Sequence, residues 1–143
     1  MRQFTIIDLY PNMACEYDRI ATIMDTNDGI IITVHFIEYD EYLNNTQVTQ
    51  KRKNGDSITG NVCIDLISHS QIVNKELMHN QNIPCSSHIE AVIEVSKIID
   101  KYTLLANSSV FSELIMLKFE DDVNYRVGDK VLVSGSLELC DIV

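Results

Sequence analysis

The sequence contains no tryptophan and only five glycines and two prolines among its 143 residues. So few glycines leave little material for a phosphate-cradling loop, and no serine-centred elbow or His-Glu metal motif is present. No apolar run approaches the roughly 18 residues that a membrane-spanning helix requires. The apolar stretch that follows Met1 and Arg2 is interrupted by Asp8, too early for the core of a signal peptide. These absences exclude the common enzyme signatures and predict a cytoplasmic chain without a membrane segment.

Basic residues are scarce. Eleven Lys and Arg face 21 Asp and Glu, which gives a net charge of −10 and a pI of about 4.6. Each half of the chain, divided after Gln71, carries half of this excess, so there is no separate acidic tail. Binding to a polyanion replaces its counterions with Lys and Arg, and single strands also need stacking aromatics. The charge therefore opposes nucleic-acid binding unless basic residues are concentrated in a local patch. The cluster Lys51-Arg52-Lys53 is interpreted as solvated loop charge.

Length and composition predict a single globular domain over residues 1–143, with polar loops over 44–57 and 79–88. Apolar residues make up 45% and charged residues 22% of the chain, as in an ordinary globular protein. A reducing compartment predicts four free thiols rather than two disulfides. These are Cys15, Cys63, Cys85 and Cys140.

Alternating hydrophobicity indicates strands along most of the chain. The clearest case is Val131–Leu139, where every second residue is apolar and Gly135 falls on the inner side, as at a bulge or a bend. Asn27-Asp28-Gly29 predicts a tight turn between the strands Arg19–Asp25 and Ile30–Glu38. The segment Gln71–Met78 is predicted to be one short helix.

Two segments have sequence patterns that are compatible with either a helix or a strand. Residues 12–24 have helical spacing after Pro11 but are preferred as the first arm of the hairpin. Residues 88–99 carry a capping-box pattern from Ser87 to Glu90, yet their Val and Ile content favours a strand. The resulting fold class is mainly β: a small antiparallel, barrel-like sheet with one short helix.

The last third of the chain supports a resemblance. The run from Tyr125 to Leu137, with Val127-Gly128-Asp129-Lys130 turning into a strand, resembles the closing strands of OB-fold domains. The resemblance implies a small OB-like barrel. It implies no particular function, because one barrel hosts many activities.

Cysteine and histidine suggest two forms of chemistry. Cys85 and His88, with Cys63 and His69, supply four potential zinc ligands, although the Cys-x5-His spacing is not a usual chelate loop. Cys85 and His88 could alternatively form a nucleophile and base, but no orienting third residue accompanies them. We therefore expect no catalytic residues, no metal and no cofactor. His69 and His79 are interpreted as surface residues at the ends of the predicted helix.

Two acidic groups are the candidate functional residues. The first begins at the end of the predicted strand Ile30–Glu38, and the second directly follows the predicted strand Glu113–Phe119. This places the carboxylates at the start of a loop, where they could meet an Arg- or Lys-rich partner. Tyrosines interleaved with the first group add anchors of the kind found at interface centres. The candidate residues are Glu38, Tyr39, Asp40, Glu41 and Tyr42 in the first group, and Glu120, Asp121 and Asp122 in the second.

The sequence thus predicts a non-catalytic, acidic module that binds a basic protein. In general type, being short, acidic and without motifs, it resembles the immunity proteins that cover the cationic active site of a toxic nuclease. The alternatives are an OB-like nucleic-acid-binding protein and a structural or accessory subunit. The sequence does not specify an oligomeric state.

Overall fold

A computed structural model of the chain describes residues 1–10, 17–38 and 52–143. Of these residues, 62% lie in β-strands and none lies in a helix; this part of the chain therefore has no helix of a length and hydropathy suited to crossing a membrane. The mainly β class predicted from the sequence is confirmed. The strands of the described residues are β1 (Arg2–Tyr10), β2 (Asp18–Asp25), β3 (Ile31–Ile37), β4 (Ser57–Ile72), β5 (Met78–Asn80), β6 (His88–Asp100), β7 (Thr103–Asn107), β8 (Ile115–Phe119) and β9 (Lys130–Cys140).

The predicted helix over Gln71–Met78 is wrong. Strand β4 continues to Ile72, residues 73–77 belong to no regular element, and the short strand β5 then pairs antiparallel with β6. The backbone N–H of Val73 donates to the carbonyl of Lys130 at 2.9 Å. Backbone groups in this segment find partners in the sheet, so tertiary pairing outweighs a local preference for helix.

The chain divides into two compact units. One consists of Met1–Asn61, Cys85–Ser87 and Leu139–Val143, and the other of Val62–Pro84 and His88–Glu138. Strands β4 and β9 contribute residues to both. In the first unit β1, β2 and β3 form an antiparallel meander, and β1 also pairs with the start of β4.

In the second unit the strand order β9-β4-β8-β7-β6, together with the pairing of β9 with β6, closes a ring of five strands. The pairs β6–β7, β7–β8 and β6–β9 are antiparallel, but β4 and β8 run parallel. The prediction of an antiparallel sheet is therefore wrong at this pair. A parallel pair cannot be joined by a tight hairpin, and here the strands β5, β6 and β7 lie between β4 and β8 in sequence.

The predicted hairpin is present, and one of the two ambiguous segments is a strand, as preferred from the sequence. Strands β2 and β3 pair in register from Asp18↔Ile37 to Met24↔Ile31, joined through the turn at residues 26–28. Residues 88–99 lie in the strand β6. Of residues 12–24, those from Asp18 onward are strand, and residues 11–16 lie outside the described part.

The alternation predicted in β9 corresponds to burial. Val131, Val133, Leu137 and Leu139 are each at most 3% exposed. Gly135 lies on the same side by the alternation of the strand. A Cβ there would be 2.6 Å from the backbone oxygen of Asp65, closer than real contacts allow, so only glycine fits.

Asp65 belongs to an irregularity in β4. The register of β4 with β8 shifts between Ile64 and Ile67, and Leu66 adopts a left-handed φ of 54°. The strand bulges there, and the missing side chain of Gly135 leaves room for the bulged backbone.

We predict that Gly135→Ala lowers the free energy of unfolding by about 1–3 kcal/mol, because the added methyl group must displace the backbone of β4. Urea unfolding followed by circular dichroism measures this change. The neighbouring Ser134→Ala, on the half-exposed side of β9, is the control and should change stability by no more than about 0.5 kcal/mol. Equal stability of the two variants would contradict the close approach of β9 and β4.

A buried carboxylate holds the β2–β3 turn. Asp25 is 1% exposed; its Oδ1 accepts the backbone N–H groups of Asn27 (2.8 Å) and Asp28 (3.2 Å), and its Oδ2 accepts Nη1 of Arg2 at 2.7 Å. Burial by itself raises the pKa of Asp25. The hydrogen bonds from Arg2 and the two backbone N–H groups outweigh this effect and hold the pKa below 3.8.

We therefore expect Asp25 to make stability depend on pH. The unfolded chain binds this proton more readily than the folded one, so the contribution of Asp25 is complete above about pH 5 and is lost as pH falls through the lowered pKa. Asp25→Asn should lose about 1.5–3 kcal/mol at pH 7 and show a shallower fall in stability below pH 5. Urea titrations at several pH values test this, with the exposed Glu76→Gln as control. An unchanged pH slope in Asp25→Asn would contradict the assignment.

Candidate partner-binding surface

The first acidic group predicted from the sequence begins with a buried residue. The Glu38 side chain is 1% exposed, and its Oε2 accepts Nε of Arg19 at 2.8 Å. Nη1 of Arg52 lies 3.6 Å from Oε1. The carboxylate of Glu38 therefore faces inward, toward arginines. The other members of this group, Tyr39, Asp40, Glu41 and Tyr42, lie outside the described residues.

The Arg19–Glu38 pair has a structural role. A charge removed from water is tolerated only when an opposite charge and hydrogen bonds compensate for the lost hydration. Among the described residues Oε1 of Glu38 has no hydrogen-bond partner, so Arg52 acts on it through electrostatic attraction. Arg52 is thus not the solvated loop charge that the sequence suggested, since its side chain is only 15% exposed.

The second acidic group lies at the surface. Glu120, Asp121 and Asp122 follow directly after β8, and all three are exposed. Within the described ranges none of the three forms an ion pair with a basic side chain. Three like charges thus stand next to one another without local neutralisation.

Backbone hydrogen bonds hold this acidic segment against the turn between β6 and β7. The N–H of Phe119 donates to the carbonyl of Tyr102, and the N–H of Val123 donates to the carbonyl of Lys101, both at 2.8 Å. One bond lies immediately before the acidic residues and the other immediately after them. The N–H of Glu120 also donates to the carbonyl of Ile67 at 3.0 Å. The backbone that carries the three exposed carboxylates therefore lies beside the turn.

The turn itself exposes apolar side chains. Tyr102 is 42% exposed, and Ile98 and Ile99, at the end of β6, are 44% and 47% exposed. Oδ1 of Asp100 accepts the backbone N–H of Tyr102 at 2.8 Å, which stabilises the turn. Nζ of Lys101 lies over the Tyr102 ring, 5.2 Å from its centroid. We call this set the turn surface: Ile98, Ile99, Lys101, Tyr102, Glu120, Asp121 and Asp122.

Packing beneath the turn surface anchors it. Phe119 is 6% exposed, and its ring centroid lies 6.1 Å from that of Tyr125 in a tilted arrangement. The hydroxyl of Tyr125 shares a 2.6 Å hydrogen bond with Oγ of Ser70 on β4. The acidic segment is thus fixed at both ends and below, so its carboxylates are displayed from a preorganised backbone.

Sequence reasoning identified the carboxylates of this surface but not its aromatic part. Asp100–Leu105 reads as one short strand, which conceals the turn at Lys101 and Tyr102. The available signal was Asp100 followed by two polar or amphipathic residues between apolar runs, since Asp commonly accepts a backbone N–H two residues later. That the turn meets the segment after β8 depends on strand pairing and is not visible locally.

The Cys and His candidates for chemistry lie on β4, on β6 and in the loop before β6. Cys63 is buried in β4, and Cys85 is exposed with a φ of 54°. His69 is an exposed residue of β4, and His88 begins β6. In the described portion of the chain, no group of three or more His, Cys, Asp and Glu side chains is arranged to hold a metal ion.

We predict that Glu38→Gln lowers the free energy of unfolding by about 3 kcal/mol, because it removes the negative charge that Nε of the buried Arg19 faces. Guanidinium unfolding measures the loss. The exposed Glu90→Gln on β6 is the control and should stay within about 0.5 kcal/mol of the parent. If the two substitutions cost the same, the Glu38 carboxylate is not the structural element described above.

Comparison of the chain with protein-family models, with curated proteins and with solved structures finds no match.

Proposed function

We propose that this chain is a non-catalytic binding module that recognises a basic protein through the turn surface. The observation that carries the proposal is the pair of backbone hydrogen bonds that brackets Glu120–Asp122 and brings these unpaired carboxylates beside the exposed Tyr102. An apolar centre with a charged rim is the usual anatomy of a protein interface. Tyr102 would supply the anchor, and the carboxylates would select a cationic partner.

The charge distribution supports this choice of partner. Val62–Pro84 and His88–Glu138 together contain eleven acidic and six basic residues. A cationic protein would be attracted from a distance, and its association would slow as salt screens the field. A nuclease active site has the required positive charge, so an immunity protein that covers such a site is the specific form of our proposal.

The test begins by co-expressing the chain with the product of the adjacent gene and measuring association by surface plasmon resonance. Neutralising Glu120→Gln, Asp121→Asn and Asp122→Asn together should weaken affinity about 10- to 100-fold, mostly through slower association, and should flatten the salt dependence. Tyr102→Ala should instead accelerate dissociation, because it removes an anchor.

A matched control separates the surface from net charge. Glu76→Gln, Glu90→Gln and Glu94→Gln also remove three negative charges from the second unit, and we expect less than about a threefold change from them. An equal loss in both triple variants would mean that only overall charge matters. If a partner binds and neither triple variant loses affinity for it, the turn surface is not the binding site.

A second candidate is nucleic-acid binding through an OB-like fold. It is favoured by the closed ring of five strands, which is the strand number of OB domains. Lys97 and Lys118, on strands β6 and β8 of that ring, would provide cationic contacts, and Tyr102 could stack on a base. Fluorescence anisotropy with a labelled single-stranded oligonucleotide tests this reading. Absence of salt-dependent binding at micromolar protein would reject it.

A further inference from the structure

One serine and one histidine, distant in the sequence, meet at close range. His79 lies on β5, and Ser109 lies in the segment between β7 and β8. The Nδ1 atom of His79 and the Oγ atom of Ser109 are 2.6 Å apart. This separation is at the short end of hydrogen-bond distances, and it joins groups that are 30 residues apart.

Both partners are held by the fold. Strand β5 pairs with β6, with His79 opposite Ala91, so the backbone of the histidine is part of the sheet. Val110 and Phe111, which follow Ser109, are 1% and 6% exposed. The N–H of Val110 also donates to Oγ of Ser108 at 3.2 Å. Ser109 is therefore an exposed residue on an anchored segment.

A second serine–histidine pair in the same molecule is not formed by two separate segments of the fold. Oγ of Ser68 and Nδ1 of His69 are 3.1 Å apart, but the two residues are adjacent in sequence and both are exposed. Their contact requires no meeting of separate elements. Ser68 therefore serves as an internal reference for the reactivity of an ordinary serine beside a histidine.

The protonation state of His79 suits it to act as a base. Burial lowers the pKa of His79 from its ordinary value of 6.5, so the ring is neutral at pH 7. When Nε2 carries the single ring proton, Nδ1 can accept the hydroxyl proton of Ser109. A serine hydroxyl is a weak nucleophile until a neighbouring base takes its proton.

We propose that Ser109 is a reactive nucleophile activated by His79 and that it is acylated by small neutral carboxylic esters. Oγ of Ser109 attacks the ester carbonyl carbon as its proton moves to Nδ1 of His79. The bond from that carbon to the alcohol oxygen breaks, and the alcohol leaves with the proton returned by His79. The products are one acyl-serine and one alcohol.

We specify a neutral ester because of the negative charge of the protein around Ser109. The unit that contains both residues has five more acidic than basic side chains. An anionic ester would approach against this field, whereas a neutral one would not. This reactivity of Ser109 is independent of partner binding by the turn surface, whose residues it does not use.

The experiment treats the full chain with p-nitrophenyl acetate and locates acetyl groups by peptide mass spectrometry. We expect acetylation at Ser109 to exceed that at Ser68 at least about 100-fold, the lower end of what general-base assistance contributes. The monoanionic ester p-nitrophenyl succinate should react more slowly than the acetate. Ser109→Ala should abolish the fast release of p-nitrophenol, and Ser68→Ala should leave it unchanged.

The role of His79 has its own readout. His79→Ala should slow acylation about 100-fold, and added imidazole should restore part of the rate, which a purely structural loss would not allow. Circular dichroism establishes that this variant is folded. Comparable acetylation of Ser109 and Ser68, or full reactivity in His79→Ala, would overturn the proposal.

Discussion

The close approach of β9 to the bulge in β4 is the constraint from which the second unit is built. Gly135 admits the backbone oxygen of Asp65 at a distance that no side chain would tolerate. Beyond the bulge Ile67 pairs with Phe119, and its carbonyl receives the N–H of Glu120. The position of the acidic segment therefore depends on a missing side chain on another strand. The bulge in β4 and the exposed carboxylates after β8 are therefore structurally linked through Ile67.

Much of the fold could be predicted because strand periodicity is a local property. The alternation along Val131–Leu139, the turn at Asn27-Asp28-Gly29 and the β-branched content of residues 88–99 each correspond to a strand or turn in the structure. The segment 71–78 could not be predicted in the same way, since its conformation is determined by β6 and by Lys130. The parallel pairing of β4 with β8 is likewise a property of topology.

The candidate surface was only partly predictable for the same reason. Glu38 and Glu120 look alike in sequence, because each follows a strand and begins an acidic run. One is buried against Arg19, which is 19 residues away, and the other is exposed. The difference depends on which side chains the strands bring together. Composition can indicate that a protein is acidic, but it cannot separate structural carboxylates from those available to a partner.

Internal pairing also changes what the net charge means. Arg2, Arg19 and Arg52 are largely buried and face the carboxylates of Asp25 and Glu38. Without these five residues, 19 acidic and eight basic residues remain to determine the field outside the protein. Arginine is suited to the inner role because its fork of donors satisfies a carboxylate geometrically. The outward field is therefore more negative than the formal charge suggests.

The first stretch of β4 has a consequence for biosynthesis. Its residues Ser57–Gly60 pair with Arg2–Thr5 on one side, and Thr59 accepts the backbone N–H of Val143 at 3.1 Å. A ribosome must therefore polymerise nearly the whole of the described sequence before this stretch can acquire all its neighbours. Contacts between such distant positions slow folding, so the early strands of the nascent chain remain without their sheet partners during translation.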